Sequence, residues 1–122
     1  MRTNQIHQKQ PVLRAGDNAK NAERIVILLH GRGASAESML PIVEALAVEK
    51  TRYMIPQAAE NRWYPQTAFG PLEANQPDLS SALAVVDDLI KQVEQEGYDR
   101  SQIFLGGFSQ GACLAAEYTV RN

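Results

Sequence analysis

The sequence lacks a long apolar run, and its 122 residues include a single cysteine. Its longest apolar stretch, Ile25 to Leu29, is far shorter than the roughly 20 residues that a membrane-spanning helix needs. Residues 1–10 are polar and contain no apolar segment of the kind that a secretory signal carries. Cys113 has no partner cysteine, which is consistent with a reducing compartment. We therefore predict a soluble, cytoplasmic protein with no membrane span.

The charged residues show neither a basic cluster nor a metal-ligand pattern. The formal net charge is −2, with 12 Lys and Arg against 14 Asp and Glu, and the basic residues are scattered. A protein face that follows nucleic-acid phosphates needs clustered basic residues. Histidine and cysteine do not occur at the spacing typical of metal ligands. We therefore expect no nucleic-acid partner, no metal and no cofactor.

Apolar runs of strand length alternate along the chain with segments of helical periodicity. The unbroken run Arg24–Leu29 is typical of a strand buried on both faces of a parallel sheet. Apolar residues recur at three- and four-residue steps over 79–93, which predicts a helix that Asp78 or Ser80 caps and Gly97 ends. The other predicted strands are 11–15, 53–55 and a buried strand at 103–105, and the other predicted helices are 40–47 and 112–120. This alternation predicts an α/β fold, a three-layer sandwich with a mainly parallel sheet.

A long loop is predicted between the strand at 53–55 and the helix at 79–93. Residues 56–78 contain four prolines, one glycine and the aromatic pair Trp63-Tyr64. Loops of this length inside compact domains are usually either functional or disordered. The two aromatic residues favour a functional loop.

The pentapeptide Gly107-Phe108-Ser109-Gln110-Gly111 matches the pattern GxSxG. A chain of this length shows that pattern by chance on the order of once in twenty-five, but here a predicted strand precedes it and a small-residue helix follows. That setting is typical of a nucleophile elbow, a strained turn that lifts a serine hydroxyl clear of the sheet. Gly107 and Gly111 would remove side chains that collide with neighbouring backbone, and the following helix N-terminus would favour developing negative charge. The alternative is a serine that caps an ordinary helix.

A second turn, His30-Gly31-Arg32-Gly33, follows the predicted strand Arg24–Leu29. An acyl-transfer site of this type binds the oxyanion with two backbone N–H groups, one after the nucleophile and one in the turn after an early strand. Arg32 and Gln110 would be those two donors. His30 is interpreted as a structural residue that holds the turn by hydrogen bonds rather than as a base. A phosphate-binding turn at 30–33 is the other interpretation.

Four segments together carry a family resemblance: LLHGRGASAESML (28–40), IPQAAENRWYPQ (55–66), LSSALAVVDDLI (79–90) and IFLGGFSQGACLAAEY (103–118). They resemble the phospholipase/carboxylesterase branch of the α/β-hydrolases, which includes the acyl-protein thioesterases and lysophospholipases. The resemblance implies that Ser109 is the nucleophile and that Arg32 and Gln110 supply oxyanion-hole amides. It also implies that Trp63 and Tyr64 lie near an acyl pocket. The implied activity is hydrolysis of carboxylic esters or thioesters that carry an apolar acyl group.

No histidine follows Ser109 in this sequence. In this fold the triad runs Ser, then Asp or Glu, then His, whereas residues 110–122 contain Glu117 as their only acid and no histidine. His7, in the polar lead-in, is expected to be a solvated side chain. Cys113 is expected to be a small core residue rather than a reactive thiol.

Residues 1–122 are accordingly interpreted as the N-terminal portion of one α/β-hydrolase domain. The sequence is either cut short or a remnant that keeps the nucleophile without its base, so the chain alone is expected to be nearly inactive. The elbow strand would present an apolar edge, which favours a homo-oligomer through that edge. The expected partner is a small-molecule or lipid-like ester. The alternative function is a catalytically dead α/β binding or interaction module.

Overall fold

The computed structural model describes residues 5–18 and 20–122. Its strands and helices are, in chain order, β1 (Val12–Gly16), β2 (Arg24–Leu29), α1 (Leu40–Leu46), β3 (Thr51–Pro56), α2 (Asp78–Gln95), β4 (Ile103–Gly107) and α3 (Gln110–Arg121). The sheet has the strand order β1-β3-β2-β4. Strand β2 runs parallel to both β3 and β4, whereas β1 runs antiparallel to β3. This mainly parallel sheet with its helices confirms the predicted α/β fold.

Strands β2 and β4 have similar apolar sequences but different burial. In the inner strand β2, Ile25, Ile27 and Leu29 are all 0% exposed, which confirms the prediction of a buried parallel strand. Within the described residues β4 pairs only with β2, and Phe104 of β4 is 52% exposed. The prediction that β4 is a buried strand is therefore wrong, because its place at the end of the sheet leaves its side chains with fewer neighbours.

Two apolar clusters hold helices against the two faces of the sheet. On one face, Val86 of α2 and Leu114 of α3 pack with Ile27 of β2. On the other face, Val43 of α1 packs with Leu28. Because the side chains of a strand point alternately to opposite faces, neighbouring residues of β2 serve both clusters. The three layers predicted from the sequence are confirmed.

Helix α2 follows its apolar periodicity but not its predicted cap. The apolar residues that define the period are buried or half-buried: Leu79, Leu83, Val86, Ile90 and Val93. Pro77 occupies the N-cap position without a side-chain cap, so the expected capping by Asp78 or Ser80 is wrong. Gly97, with φ 102°, follows the helix as predicted, because glycine adopts this left-handed conformation readily. Among the described helices, none is both long and apolar enough to cross a membrane.

The segment before β1 packs against α2 instead of forming a loose lead-in. The N–H groups of Ile6 and His7 both donate to the Ser81 hydroxyl, each at 2.9 Å. That hydroxyl in turn donates to the side-chain oxygen of Gln8 at 2.7 Å. His7 is only 2% exposed. The expectations of a loose lead-in and a solvated His7 are therefore wrong for residues 5–10, while residues 1–4 lie outside the described part of the chain.

Candidate active site

The two turns singled out in the sequence lie side by side at one end of the sheet. Leu29, the last residue of β2, is paired with Gly107, the last residue of β4. The Phe108 N–H extends this pairing by donating to the Leu29 carbonyl at 3.0 Å. Because the two strands are parallel, their carboxyl ends meet at the same edge of the sheet, where ligands of such sheets usually bind. The turn at 30–33 and the GxSxG turn therefore face each other.

Ser109 stands on a strained bend between β4 and α3. Its backbone has φ 55° and ψ −117°, a combination that side chains with a Cβ rarely adopt, and the residue is exposed. Ser109 occupies the N-cap position of α3, yet its side chain makes no capping hydrogen bond. A serine that only capped the helix would have its hydroxyl on a backbone N–H of the first turn. A strained backbone and an exposed serine without a capping hydrogen bond to α3 are the features expected of a nucleophile elbow.

The glycines around Ser109 allow backbone to approach where a side chain would not fit. A Cβ on Gly107 would overlap the Gly111 carbonyl group, and a Cβ on Gly111 would overlap the Leu29 carbonyl group. A Cβ on Gly31 would lie 3.3 Å from the Ser109 Cβ and 3.2 Å from the Phe108 carbonyl oxygen. Gly31 therefore brings the turn at 30–33 into close contact with the elbow.

His30 fixes the turn from inside the molecule. Its side chain is buried, and its Nε2 accepts a hydrogen bond of 3.0 Å from the Ala58 N–H. Nδ1 must then carry the ring proton, and it donates to the Gly31 carbonyl at 2.8 Å. Burial lowers the pKa of His30, in agreement with a neutral ring. Both ring nitrogens are therefore engaged in holding the turn to the loop that begins at Gln57.

The aromatic pair divides between the core and the site. Trp63 is 0% exposed and its ring contacts two imidazoles, with centroid distances of 5.2 Å to His7 and 5.1 Å to His30. The Trp63 indole N–H donates to the His30 carbonyl at 2.9 Å. Trp63 is thus a core residue, which lies next to Tyr64 but is not among the residues that line the cavity at Ser109. Tyr64 lines the cavity that opens at Ser109. Burial raises the pKa of its hydroxyl to about 12.

His7 is a second buried histidine that holds the same loop. Its Nδ1 accepts from the Ala59 N–H at 3.0 Å, so Nε2 carries the ring proton and donates to the Trp63 carbonyl at 2.8 Å. Burial lowers the pKa of His7, and the bond to Trp63 opposes that shift in part. In the described part of the chain, neither His7 nor His30 makes a hydrogen bond with Ser109.

The side chain of Gln110 makes a connection that the sequence analysis missed. Its Oε1 accepts from the Trp63 N–H at 2.7 Å and its Nε2 donates to the Tyr64 carbonyl at 2.9 Å. Gln110 is buried, and these bonds join the first residue of α3 to two consecutive residues of the long loop. The partners are 46 and 47 residues away, so no local sequence pattern indicates them.

A pocket of about 330 Å³ opens over Ser109. It is lined by Arg32, Tyr64, Gln66, Thr67, Ala68, Phe69, Ser109, Gln110 and Cys113. Cys113 is exposed at this pocket, so the expectation that it is a core residue is wrong. It lies four residues, about one helical turn, after Ser109. Across residues 5–18 and 20–122, no group of three His, Cys, Asp or Glu side chains is arranged to hold a metal ion.

Comparisons with known proteins agree with this fold. The chain is 27% identical to acyl-protein thioesterase 1 of Kluyveromyces lactis over 125 aligned positions. The alignment covers 88% of this chain and 55% of that protein. A solved phospholipase/carboxylesterase structure from Dyadobacter fermentans matches with 38% identity and a TM-score of 0.89, over 93% of this chain and 55% of its own. Acyl-protein thioesterase 2 of Zea mays matches with 18% identity and a TM-score of 0.61, over 87% of this chain and 49% of its own, which supports the fold alone.

The family model that describes phospholipases and carboxylesterases matches residues 12–122, which is nearly the whole chain. The chain spans about half the length of the curated relatives that it matches. The strained serine between β4 and α3 lies inside the matched range. The protein belongs to the phospholipase/carboxylesterase family.

Proposed function

We propose that Ser109 is the nucleophile of a serine hydrolase that cleaves carboxylic esters or thioesters through an acyl-enzyme. The observation that carries this proposal is the backbone of Ser109, held at φ 55° between β4 and α3 with its hydroxyl at an open pocket. Such strain persists only where the surrounding structure maintains it, and it is concentrated at functional sites. Membership of a family that contains esterases and thioesterases supports the same chemistry.

In the proposed reaction, the Ser109 oxygen attacks the acyl carbonyl carbon while a base takes the hydroxyl proton. The carbon–oxygen or carbon–sulfur bond of the substrate then breaks, the alcohol or thiol leaves with that proton, and the acyl group remains as an ester on Ser109. Water, deprotonated by the same base, attacks this ester, releases the carboxylic acid and restores the serine. The reaction needs no external oxidant or cofactor.

The proposed oxyanion donors are the backbone N–H groups of Arg32 and Gln110. Support comes from the hydrogen-bond pattern, because neither N–H donates to another group within the described part of the chain. Gln110 is also the first residue of α3, where the helix dipole favours negative charge. Close packing of Gly31 against Ser109 brings the turn that carries Arg32 to the same place. Fixed donors of this kind often supply the largest part of the catalysis of acyl transfer.

We propose that the base and its orienting carboxylate are not among these 122 residues. Both histidines of the sequence use both ring nitrogens in hydrogen bonds that hold the loop and the turn, so neither is available to Ser109. The chain alone should then turn over esters very slowly, because the oxyanion hole and binding supply only part of the acceleration. A binding module without catalysis is the alternative that the following experiment distinguishes.

A fluorophosphonate probe tests the assignment directly. We expect slow labelling of the 122-residue chain at Ser109 and faster labelling of a fusion that joins it to the part of the Dyadobacter fermentans protein that the match does not cover. Ser109→Ala should remove the labelling, whereas Ser80→Ala, which changes an exposed serine on α2, should not. The binding module would be favoured if the chain and the fusion were labelled equally with and without Ser109, or if neither protein were labelled.

We further propose a cytoplasmic location and self-association through the free edge of β4. The exposed thiol of Cys113 and the exposed apolar side chain of Phe104 are the observations behind these two proposals. Cell fractionation tests the first proposal. Light scattering across a concentration series tests the second, and a monomer at all concentrations would contradict it.

A further inference from the structure

Arg32 is the charged residue of the Ser109 pocket. None of the other side chains that line this pocket belongs to Asp, Glu, His, Lys or Arg: they are Tyr64, Gln66, Thr67, Ala68, Phe69, Ser109, Gln110 and Cys113. Burial raises the pKa of Tyr64 to about 12, so its hydroxyl remains neutral. A guanidinium keeps its charge at every physiological pH. The pocket therefore presents one fixed positive charge beside the serine.

The backbone of Arg32 is held on both sides while its side chain is exposed. On one side, Gly31 packs against Ser109 and Phe108. On the other side, the Gly33 N–H donates to the Asn61 carbonyl at 2.7 Å. A side chain on a fixed backbone position beside the nucleophile can act on a substrate without rearrangement of the turn.

Arg32 also differs from the other arginines in its lack of a partner. Within the described ranges, every other arginine has an oxygen partner. The guanidinium groups of Arg14, Arg24, Arg52, Arg100 and Arg121 donate hydrogen bonds of 3.2 Å or less, and that of Arg62 lies 3.7 Å from the Glu60 carboxylate. Within those same ranges, the Arg32 guanidinium makes no such contact. Its five donors are therefore directed to solvent and to whatever enters the pocket.

Part of the pocket lining is apolar, and the loop that carries this part is held in place. Phe69 is 95% exposed there, next to Ala68. The loop that carries them is fixed by the buried Asn75, whose Oδ1 accepts from the Gln66 N–H at 2.6 Å and whose Nδ2 donates to the Thr67 carbonyl at 3.1 Å. An exposed aromatic ring on a fixed loop indicates an apolar contact surface. The pocket thus combines an apolar wall with a single cation.

We propose that this pocket selects esters that carry an anionic group, a carboxylate or a phosphate, attached to an apolar body, with Arg32 binding the anion. The inference rests on the proposed function, since it gives the substrate class of the same site. Arg32 binds a carboxylate or phosphate with two parallel hydrogen bonds, and Phe69 contacts the apolar body. Neutral esters of the same shape lose the contact with Arg32.

The test uses amide analogues, which bind without being hydrolysed and therefore do not need a catalytic base. The probes are 4-(butyrylamino)benzoate, 4-(butyrylamino)phenyl phosphate and the neutral methyl 4-(butyrylamino)benzoate. Their dissociation constants for the 122-residue chain are measured by calorimetry or NMR titration. We expect each anion to bind about fivefold more tightly than the methyl ester at low salt, with the preference falling as salt is added. The stronger of the two anions identifies carboxylate or phosphate as the favoured group.

Three variants separate a local contact from a general effect of charge. Arg32→Gln should abolish the preference for the anions, and Arg32→Lys should retain part of it because the charge remains. Arg14→Gln removes the same charge from an exposed position on β1 and should leave the preference intact. The inference would be overturned if anionic and neutral probes bound equally or if no probe bound. It would also be overturned if Arg14→Gln and Arg32→Gln lost the preference for the anions to the same extent. Failure of Ser109 labelling would instead refute the proposed function, since the binding test does not depend on it.

Discussion

Two regions along the strands β2 and β4 are built in different ways. The first region, called the elbow corner, comprises the turn at 30–33, the loop at 57–64 and residues 107–111. Its backbone is mostly irregular, and hydrogen bonds from buried polar side chains hold it in place. The outer side of β4, which comprises residues 103–105, is regular backbone with an exposed apolar side chain at Phe104. Rigidity at the candidate site therefore comes from long-range polar contacts and close glycine packing, whereas β4 is held by its pairing with β2 and by the packing of Ile103 and Leu105 against the core.

The largest effect on the free energy of unfolding is expected at Trp63, whose ring contacts the imidazoles of His7 and His30. Replacing Trp63 with Ala should lower the free energy of unfolding by about 4 kcal/mol, because it empties a fully buried site and removes the indole hydrogen bond. Phe69→Ala removes an aromatic ring that is 95% exposed and should cost less than about 0.5 kcal/mol. Urea denaturation monitored by circular dichroism compares the two. Similar losses in both variants would show that the elbow corner is not held as described.

The second-largest loss of stability is expected where backbone packs closely against backbone, at Gly111. A Gly111→Ala variant should lose about 3 kcal/mol, because the added Cβ overlaps the Leu29 carbonyl group and neither backbone can move freely. The matched control is Gly106→Ala in β4, where a Cβ would only touch the Leu28 side chain at 3.6 Å. We expect thermal denaturation to show a large drop in melting temperature for the first variant and a small change for the second. A reversed order would contradict the account of the elbow.

The Gln110 side chain offers a sharper test of the polar contacts. Gln110→Leu keeps the backbone N–H and a similar volume but leaves the Trp63 N–H and the Tyr64 carbonyl without partners, at a cost of about 2 kcal/mol. Amide hydrogen exchange should accelerate in the loop at 57–64 while exchange in β1 is unchanged. Exchange that accelerates uniformly over the chain would indicate a general loss of stability rather than a loosened loop.

The two buried histidines make the elbow corner sensitive to acid. The pKa values of His7 and His30 are lowered in the folded state. At a pH between these lowered values and the ordinary histidine pKa near 6.5, the unfolded chain therefore binds more protons than the folded chain. Their contribution to stability is therefore complete above the unfolded pKa and is lost as the pH falls below it towards the folded pKa values. Each histidine should steepen the fall in the free energy of unfolding by up to about 1.4 kcal/mol per pH unit within that window.

Two substitutions check which groups titrate. His30→Gln can still accept a hydrogen bond from the Ala58 N–H, and His7→Asn can still accept from the Ala59 N–H, but neither side chain takes up a proton. Each should remove part of the pH dependence when denaturation is measured from pH 8 to pH 5. An unchanged pH dependence in the double variant would assign the effect to other groups.

The smallest effect is expected on the outer side of β4. Phe104→Thr keeps a side chain suited to a strand and exchanges a half-exposed ring for a polar group, so the free energy of unfolding should change by less than about 1 kcal/mol. Ile27→Thr, at a fully buried position of β2, is the matched comparison and should cost several times more. Equal losses would mean that the outer side of β4 is covered in solution.

Local patterns in the sequence predict most of the fold. The apolar run of β2, the period of α2 and the glycines of the GxSxG turn each act within a few residues, and the structure follows them. The burial of β4 was predicted wrongly because exposure depends on the order of strands in the sheet, and an edge strand and a central strand can have the same apolar sequence.

The contacts that hold the candidate site could not be predicted in the same way. His7, Gln110 and Trp63 come from distant parts of the chain and meet only in the folded protein. A polar residue in a polar segment, such as His7, gives no local sign that it will be buried. The pattern GxSxG indicates where the serine stands but not which side chains fasten the loop beside it.

The central claim is that the hydroxyl of Ser109 is a nucleophile presented by a strained turn. Mass spectrometry of the chain after reaction with a fluorophosphonate measures this most directly, because it identifies the modified peptide. The account predicts a single adduct on the peptide that contains Ser109, absent from Ser109→Ala and present in Ser80→Ala. An unmodified Ser109 peptide after prolonged reaction, in the chain and in its fusion with the Dyadobacter fermentans segment alike, would contradict it.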